Sequence, residues 1–215
     1  YFLLLILNPI TLQRYTLKAT IPPIYPFDFP QLVNFAEFIY YEGLFLPHEI
    51  ERVNDYWQAE QKIDAPLSGE ASSKEELRKS SVIFLPPDEK SQWIYDKLGM
   101  VGLQCNNQRY FFNINGFYQE LQLAEYGEGD FFNWHLDFGA GEISHRKLSI
   151  SVQLTDESEY EGGDLQFMVN QNIVTAPKKK GTVIIFPSFI LHRVTPITKG
   201  KRKSIVGWIS GPPYR

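Results

Sequence analysis

The heptapeptide Leu148-Ser149-Ile150-Ser151-Val152-Gln153-Leu154 divides at a period of two, with Leu/Ile/Val/Leu on one face and Ser/Ser/Gln on the other. Only an extended strand sends alternate side chains to opposite sides, so the stretch reads as a strand whose apolar face packs under other structure. Its polar face either meets solvent or lines a wet pocket. From about Tyr118 onward the same short period recurs between Gly, Asp and Asn turns. The expected strands are Glu120–Tyr126, Trp134–Phe138, Leu148–Thr155, Asp164–Met168, Ile173–Ala176, Thr182–Phe186, Ile190–Val194 and Ser204–Ser210. Short strands so closely spaced predict a sandwich or jelly roll.

Upstream the period is helical. Pro47 suits a first helical turn, Glu49 and Glu51 favour its positive end, and Ile50, Val53 and Trp57 share one face. A second helix is expected from about Asp88, after Pro86-Pro87, burying Trp93, Ile94, Leu98 and Val101. Between them Asp64 to Ser81, rich in Ser, Glu and Lys, reads as a loop or lid. Helices first and strands later give an α+β, mainly β, layout in which N-terminal helices brace one sheet. The proline-rich run Ile21–Pro30 excludes regular helix, and residues 1–36 are read as an extension. Residues 37–215 form the single expected domain, with its jelly-roll core at about 118–211.

A chain of 215 residues fits one sizeable domain, and aromatic residues at 15% against charged ones at 21% mark it as globular. A net charge of −4 argues against a nucleic-acid partner, which calls for a strongly basic face. The apolar run Tyr1–Leu7 stops at Asn8-Pro9, short of the roughly 20 residues a membrane span needs, and no basic stretch precedes it as in a secretory signal. The lone Cys105 can form no internal disulfide and reads as a packed thiol, so a reducing, cytoplasmic setting is expected.

The chemistry centres on His135-Leu136-Asp137, whose first and third residues would share a face of a strand and grip one ion. His192 is the best candidate for a third ligand. Two histidines and one carboxylate on one side of a metal make the facial triad of non-heme Fe(II) oxygenases, with the opposite side open. Arg202 follows ten residues after His192 and opens the last strand, where Ser204, Val206 and Trp208 continue its face. A buried guanidinium needs a carboxylate, no acidic residue nearby in the sequence offers one, and a cosubstrate carboxylate would serve.

The run from Glu120 through Tyr126 to His135-Leu136-Asp137 resembles the core of the Fe(II)/2-oxoglutarate dioxygenases of the prolyl 4-hydroxylase type. Tyr160-Glu161-Gly162-Gly163-Asp164-Leu165, Phe186-Pro187-Ser188, Leu191-His192-Arg193-Val194-Thr195-Pro196 and Gly200-Lys201-Arg202 look most like the PKHD-type hydroxylases within it. The resemblance covers about Ser80 to Ser210. It implies a double-stranded β-helix with iron at its open end, held by His135, Asp137 and His192. It implies 2-oxoglutarate as cosubstrate, with Arg202 on its distal carboxylate, Tyr126 hydrogen-bonded to it, Trp208 packed nearby, and Ser151 or Gln153 in the pocket. Ascorbate joins the implied small molecules, with O₂ and a peptide or small-molecule substrate as partners. A carboxylate at Asp137 favours hydroxylation over halogenation, for which the superfamily has Ala or Gly there. The product of a peptidyl-proline hydroxylase and that of a free amino acid or small-metabolite hydroxylase both stay open, as does a binding-only jelly roll. A nucleobase demethylase would carry a second arginine where Trp208 stands. His48 and His145 read as surface residues and Lys178-Lys179-Lys180-Gly181 as a charged turn. Oligomeric state is not legible.

Overall fold

The computed structural model of the chain describes residues 36–59, 62–65 and 77–214, all within the compact unit Phe35–Arg215. The expected extension over residues 1–36 lies outside them but for Ala36. The first half contains β1 (Ile39–Tyr41), α1 (Pro47–Ala59), β2 (Ile63–Asp64), β3 (Arg78–Lys79), β4 (Ser81–Leu85) and α2 (Gln92–Cys105). Then come β5 (Gly116–Phe117), β6 (Leu121–Tyr126), β7 (Phe131–His135), β8 (Arg146–Gln153), β9 (Tyr160–Gly162) and β10 (Leu165–Val169). The chain closes with β11 (Asn172–Thr175), β12 (Val183–Pro187), β13 (His192–Val194), β14 (Ile197–Gly200) and β15 (Arg202–Ser210).

Among the described residues the large sheet runs β1-β12-β8-β15-β6-β4-β2, with β5 on β15, and the smaller one runs β11-β10-β13-β7-β3. From β6 to β15 the chain crosses repeatedly between the two, which is the winding of a jelly roll. All eight expected strands have counterparts here. The short strands at the N-terminal side were not expected. The stretch Asp64–Ser81, expected as a loop, ends in sheet on both sides: β2 pairs β4, and β3 pairs β7. Its residues 66–76 lie outside the described set.

The two faces of β8 explain the layering. Leu148, Ile150 and Val152 join Leu121, Leu123, Ile185, Ile205 and Ile209 in a core under the helices. From α1 that core receives Ile50, Val53 and Trp57, and from α2 Ile94, Leu98 and Val101. Each such side chain contributes about 1.5–3 kcal/mol on full burial, so this layer fixes the large sheet. Trp93 stands at its edge, half-buried under the Arg52 guanidinium at 4.4 Å. A second core lies between the sheets, where Val82, Ala124, Ile184 and Phe186 meet Leu165, Phe167 and Val194.

α2 starts at Gln92 rather than near Asp88, because the Asp88 carboxylate accepts the N–H groups of Lys90 and Ser91 and holds a turn. It lies close to the sheet at Gly102, where a Cβ would come within 2.1 Å of Ile209 Cδ1. Cys105 is buried at its end, and burial pushes its thiol up to about 11, so it is inert packing.

Gly162 terminates β9 at φ +75°, and a Cβ there would fall 2.1 Å from the backbone oxygen of Pro196. Gly162→Ala is expected to cost about 1–3 kcal/mol from the left-handed backbone alone, with the clash added. Urea denaturation reads this directly; an unshifted midpoint would mean that the turn rearranges without strain.

Candidate metal centre

The small sheet brings the two imidazoles together. His135 is the last residue of β7, His192 the first of β13, and the two are register partners across the ladder. Asp137 lies beyond the end of β7, not on it. The amides of Asp137 and Phe138 both donate to the Ser188 carbonyl, at 3.0 and 3.1 Å, and draw the chain off the ladder toward the end of β12. The expected strand Trp134–Phe138 is thus corrected to Phe131–His135. His135 and Asp137 meet because the chain bends after the strand, and not through the alternation of strand faces.

In both histidines Nδ1 faces a backbone carbonyl, Asn133 O at 2.7 Å and Ile190 O at 2.8 Å. Each ring can therefore carry its proton on Nδ1 and present Nε2 as a lone pair, the form that ligates metals. Both Nε2 atoms lie 3.5 Å from the Asp137 carboxylate, His135 on Oδ1 and His192 on Oδ2. One donor atom from each of the three lies within 4.8 Å of the others, close enough for a single ion to touch all three. Two imidazoles and a carboxylate suit a first-row divalent ion and leave its far side open.

Burial alone would raise the pKa of Asp137, but His192 beside it, and then His135, hold the carboxyl well below the usual range. Burial, with His135 adding to it, pushes His192 down from 6.5 to about 4. The folded value lies below the unfolded one, so His192 contributes stability that is complete above the ordinary histidine value. That contribution is lost as pH falls from about 6.5 toward 4. Metal-free protein is therefore expected to show a lower urea midpoint at pH 5 than at pH 7; equal midpoints would show the ring protonated in the fold.

Ser149, on the polar face of β8, donates its one hydroxyl proton to Asp137 Oδ2 at 2.7 Å and can accept from Ser188 Oγ at 3.0 Å. Outer partners of this kind orient a ligand, and their loss costs about 10–100-fold in metal affinity. Ser149→Ala is expected to fall in that range in an Fe(II) titration, with unchanged secondary structure by circular dichroism. An unaltered affinity would show Asp137 positioned by its backbone alone.

The triad opens into a small cavity of about 40 Å³. Arg202 also lines it, 2% exposed and paired in register with Tyr126, whose ring lies 5.5 Å from the guanidinium. Nη1 donates to Ser204 Oγ at 3.3 Å while Nε is buried without a partner, and among the described residues no carboxylate forms an ion pair with Arg202. Trp208, Tyr126 and Ser151 line the cavity, whereas Gln153, two residues deeper on the same face, is buried but not among its lining residues. Lys201 points outward to Glu125 at 3.5 Å. Of the other histidines, His48 is exposed, and His145 is half-buried, with Nδ1 3.3 Å from Gly211 O. Sequence reasoning missed Ser149 as a partner of Asp137, Gln122, Phe132 and Arg78 on the cavity wall, and Arg146 beside it. The alternation of β8 pointed at Ser149; nothing local marked the rest.

Residues 121–210, the segment that holds the triad and Arg202, match the family model of the 2OG-Fe(II) oxygenase superfamily. Within it the chain is 41% identical over 89 residues to a PKHD-type hydroxylase of Synechococcus sp. strain CC9902. It is 38% identical over 87 residues to one from Hyphomonas neptunium. The first match spans 41% of this chain, the second 39%, and each spans 39% of the relative. In fold, a prolyl-4-hydroxylase of Pseudomonas putida superposes with a TM-score of 0.65 at 21% identity, over 82% of this chain and 93% of that one. A prolyl hydroxylase of Trichoplax adhaerens gives 0.68 at 16% identity, over 81% and 83%. These two likenesses are of fold, and the core shares its jelly-roll architecture with both. Among the described residues, no helix is long and apolar enough to cross a membrane.

Proposed function

We propose that the chain is an Fe(II)- and 2-oxoglutarate-dependent dioxygenase that hydroxylates a C–H bond. One observation carries the reading: two imidazoles fixed through Nδ1 aim Nε2 at one buried carboxylate, across a cavity from a buried arginine that has no acidic partner. His135, Asp137 and His192 hold the metal. Arg202 grips the distal carboxylate of 2-oxoglutarate, a bidentate fit for its planar fork, and Tyr126 packs beside that end. When bound, iron and cosubstrate supply oxidative decarboxylation to succinate and CO₂ and put one oxygen of O₂ onto the substrate as hydroxyl.

The rest is the work of the chain. Ser149 keeps Asp137 turned inward, so the carboxylate does not rotate away from the imidazoles. Phe132, stacked on the His135 ring at 3.4 Å, and Phe186, edge-on to His192 at 4.7 Å, hold the rings and exclude water. Trp208 lines the same cavity as Arg202. Residues 37–215 act as one catalytic domain carrying residues 1–36 as an extension. O₂ is the second substrate, and ascorbate serves as accessory cofactor. A cytoplasmic setting follows from a single buried thiol and no possible internal disulfide. The organic substrate is a peptidyl proline or a small metabolite, and nucleic acid is not expected.

Anaerobic addition of Fe(II) and then 2-oxoglutarate tests the reading. Keto-acid chelation is expected to raise a weak visible charge-transfer band. Iron uptake without the band would remove 2-oxoglutarate and move a binding-only jelly roll ahead; no iron uptake would remove the triad.

A further inference from the structure

A groove of about 840 Å³ runs between α2 and β5 and shares no lining residue with the metal cavity. Its helical wall carries Gln92, Asp96, Met100 and Leu103, which spacings of three and four residues place on one face of α2. Met100 is 69% exposed and Leu103 50%, whereas Ile94, Leu98 and Val101 of the same helix enter the core. The opposite wall is the chain from Ile114 through β5 to Glu120, including Phe117 and the exposed Tyr118. Apolar side chains uncovered on both walls of one groove call for a partner.

The sheet explains why the groove is open. Along β15, β6 pairs Arg202–Val206 and β5 pairs Ile209 and Ser210, while β8 occupies the other side. β5 and β6 therefore lie end to end. β4 covers the outer side of β6 only as far as Leu85, opposite Leu121. The chain then leaves the sheet through Pro86-Pro87, and among the described residues β5 has no strand on its outer side. An unpaired edge is a template for an added strand. The walls also carry charge of one sign. Asp96 on the helix and Glu120 beyond β5 line the groove, no Lys or Arg does, and among the described residues neither carboxylate forms an ion pair. The Gln92 amide donates to Asp96 Oδ1 at 2.8 Å, which leaves that carboxylate its charge. We infer that the groove docks an extended peptide segment of a partner protein. The segment adds a strand to β5, lays apolar side chains against Met100, Leu103 and Phe117, and sets Lys or Arg side chains at Asp96 and Glu120. The groove holds no residue of the metal centre, so docking there is independent of the reaction.

The test needs neither metal nor turnover. The protein is titrated into an N-terminally fluorescein-labelled, C-terminally amidated heptapeptide, Lys-Val-Lys-Val-Lys-Val-Lys, and binding is read by anisotropy. A counterpart with glutamate in place of every lysine should bind about tenfold more weakly or worse. In the chain carrying both Asp96→Lys and Glu120→Lys the order of the two peptides should reverse, which no loss of folding can imitate. Met100→Ser, at an exposed position, should cost the lysine peptide about tenfold. Methylating the amide nitrogens of its three central residues blocks both edges of the peptide strand and should abolish binding. On binding, amide hydrogen exchange at Gly116 and Phe117 should slow, while that of β11, an edge of the smaller sheet, should not. No saturable binding of the lysine peptide, equal binding of the glutamate peptide, or an affinity untouched by the paired charge reversal would overturn the inference. Wild type that sediments as a dimer, with Met100→Ser a monomer, would give the groove to a second copy of the chain and overturn it as well.

Discussion

His135→Ala is expected to strip the chain of iron and abolish 2-oxoglutarate turnover. On the proposed reading three side chains hold the metal, so the loss of one leaves a carboxylate and a single imidazole for a divalent ion in competition with water. Loss of an outer partner already costs about 10–100-fold in metal affinity, and loss of a direct ligand should exceed the upper figure. The fold should survive, since His135 ends β7 at the cavity and belongs to neither apolar core. The packing it gives up is its stacking on Phe132. The measurement is iron stoichiometry after anaerobic loading and desalting, beside an unfolding curve. Equimolar iron in the variant would take His135 out of the centre; a collapsed urea midpoint would mean that the ring serves the fold.

The large sheet was legible because its strands obey one rule. β8 and β15 alternate between a helix-covered apolar face and a cavity face, so Leu148, Ile150 and Val152 separate from Ser149 and Ser151 in the sequence itself. The helices were legible for the same reason at the longer period, through Ile50, Val53 and Trp57. Short edge elements such as β2 and β3 were not, because two residues carry no period; Arg78 owes its place on the cavity wall to pairing with Phe132. At the centre, the three donors that spacing pointed to do lie together, but by a partly different route. The strand ends at His135, and Asp137 is positioned by Ser188 and Ser149, residues from β8 and from just beyond β12 whose approach depends on sheet register. Nothing local in the sequence reveals such a register. The solitude of Arg202 was legible only by half: the sequence shows no acidic neighbour, and burial turns that into an unmet demand.

Arg202→Met should separate binding from folding. Methionine keeps much of the length and apolar stem of the side chain but removes the fork and the charge. A charge-assisted hydrogen bond contributes about 1.5–3 kcal/mol, so losing a bidentate grip should weaken N-oxalylglycine binding by about 100-fold, while Fe(II) affinity changes little. Stability should move the other way or not at all. Removing an isolated guanidinium from a site 2% exposed, with Nε unpaired, relieves a desolvation cost and leaves no carboxylate stranded, since none pairs with it among the described residues. The expected signature is therefore a large loss of cosubstrate affinity with an equal or higher urea midpoint. A purely structural arginine would give the reverse: binding retained per folded molecule and a lower midpoint, because Tyr126, Ser204 and the strand pair β6–β15 would lose a packing partner. Lys201 cannot substitute from its outward position at Glu125, so binding that survives in Arg202→Met would point to Arg78, the other cation lining the cavity, as the site of the distal carboxylate.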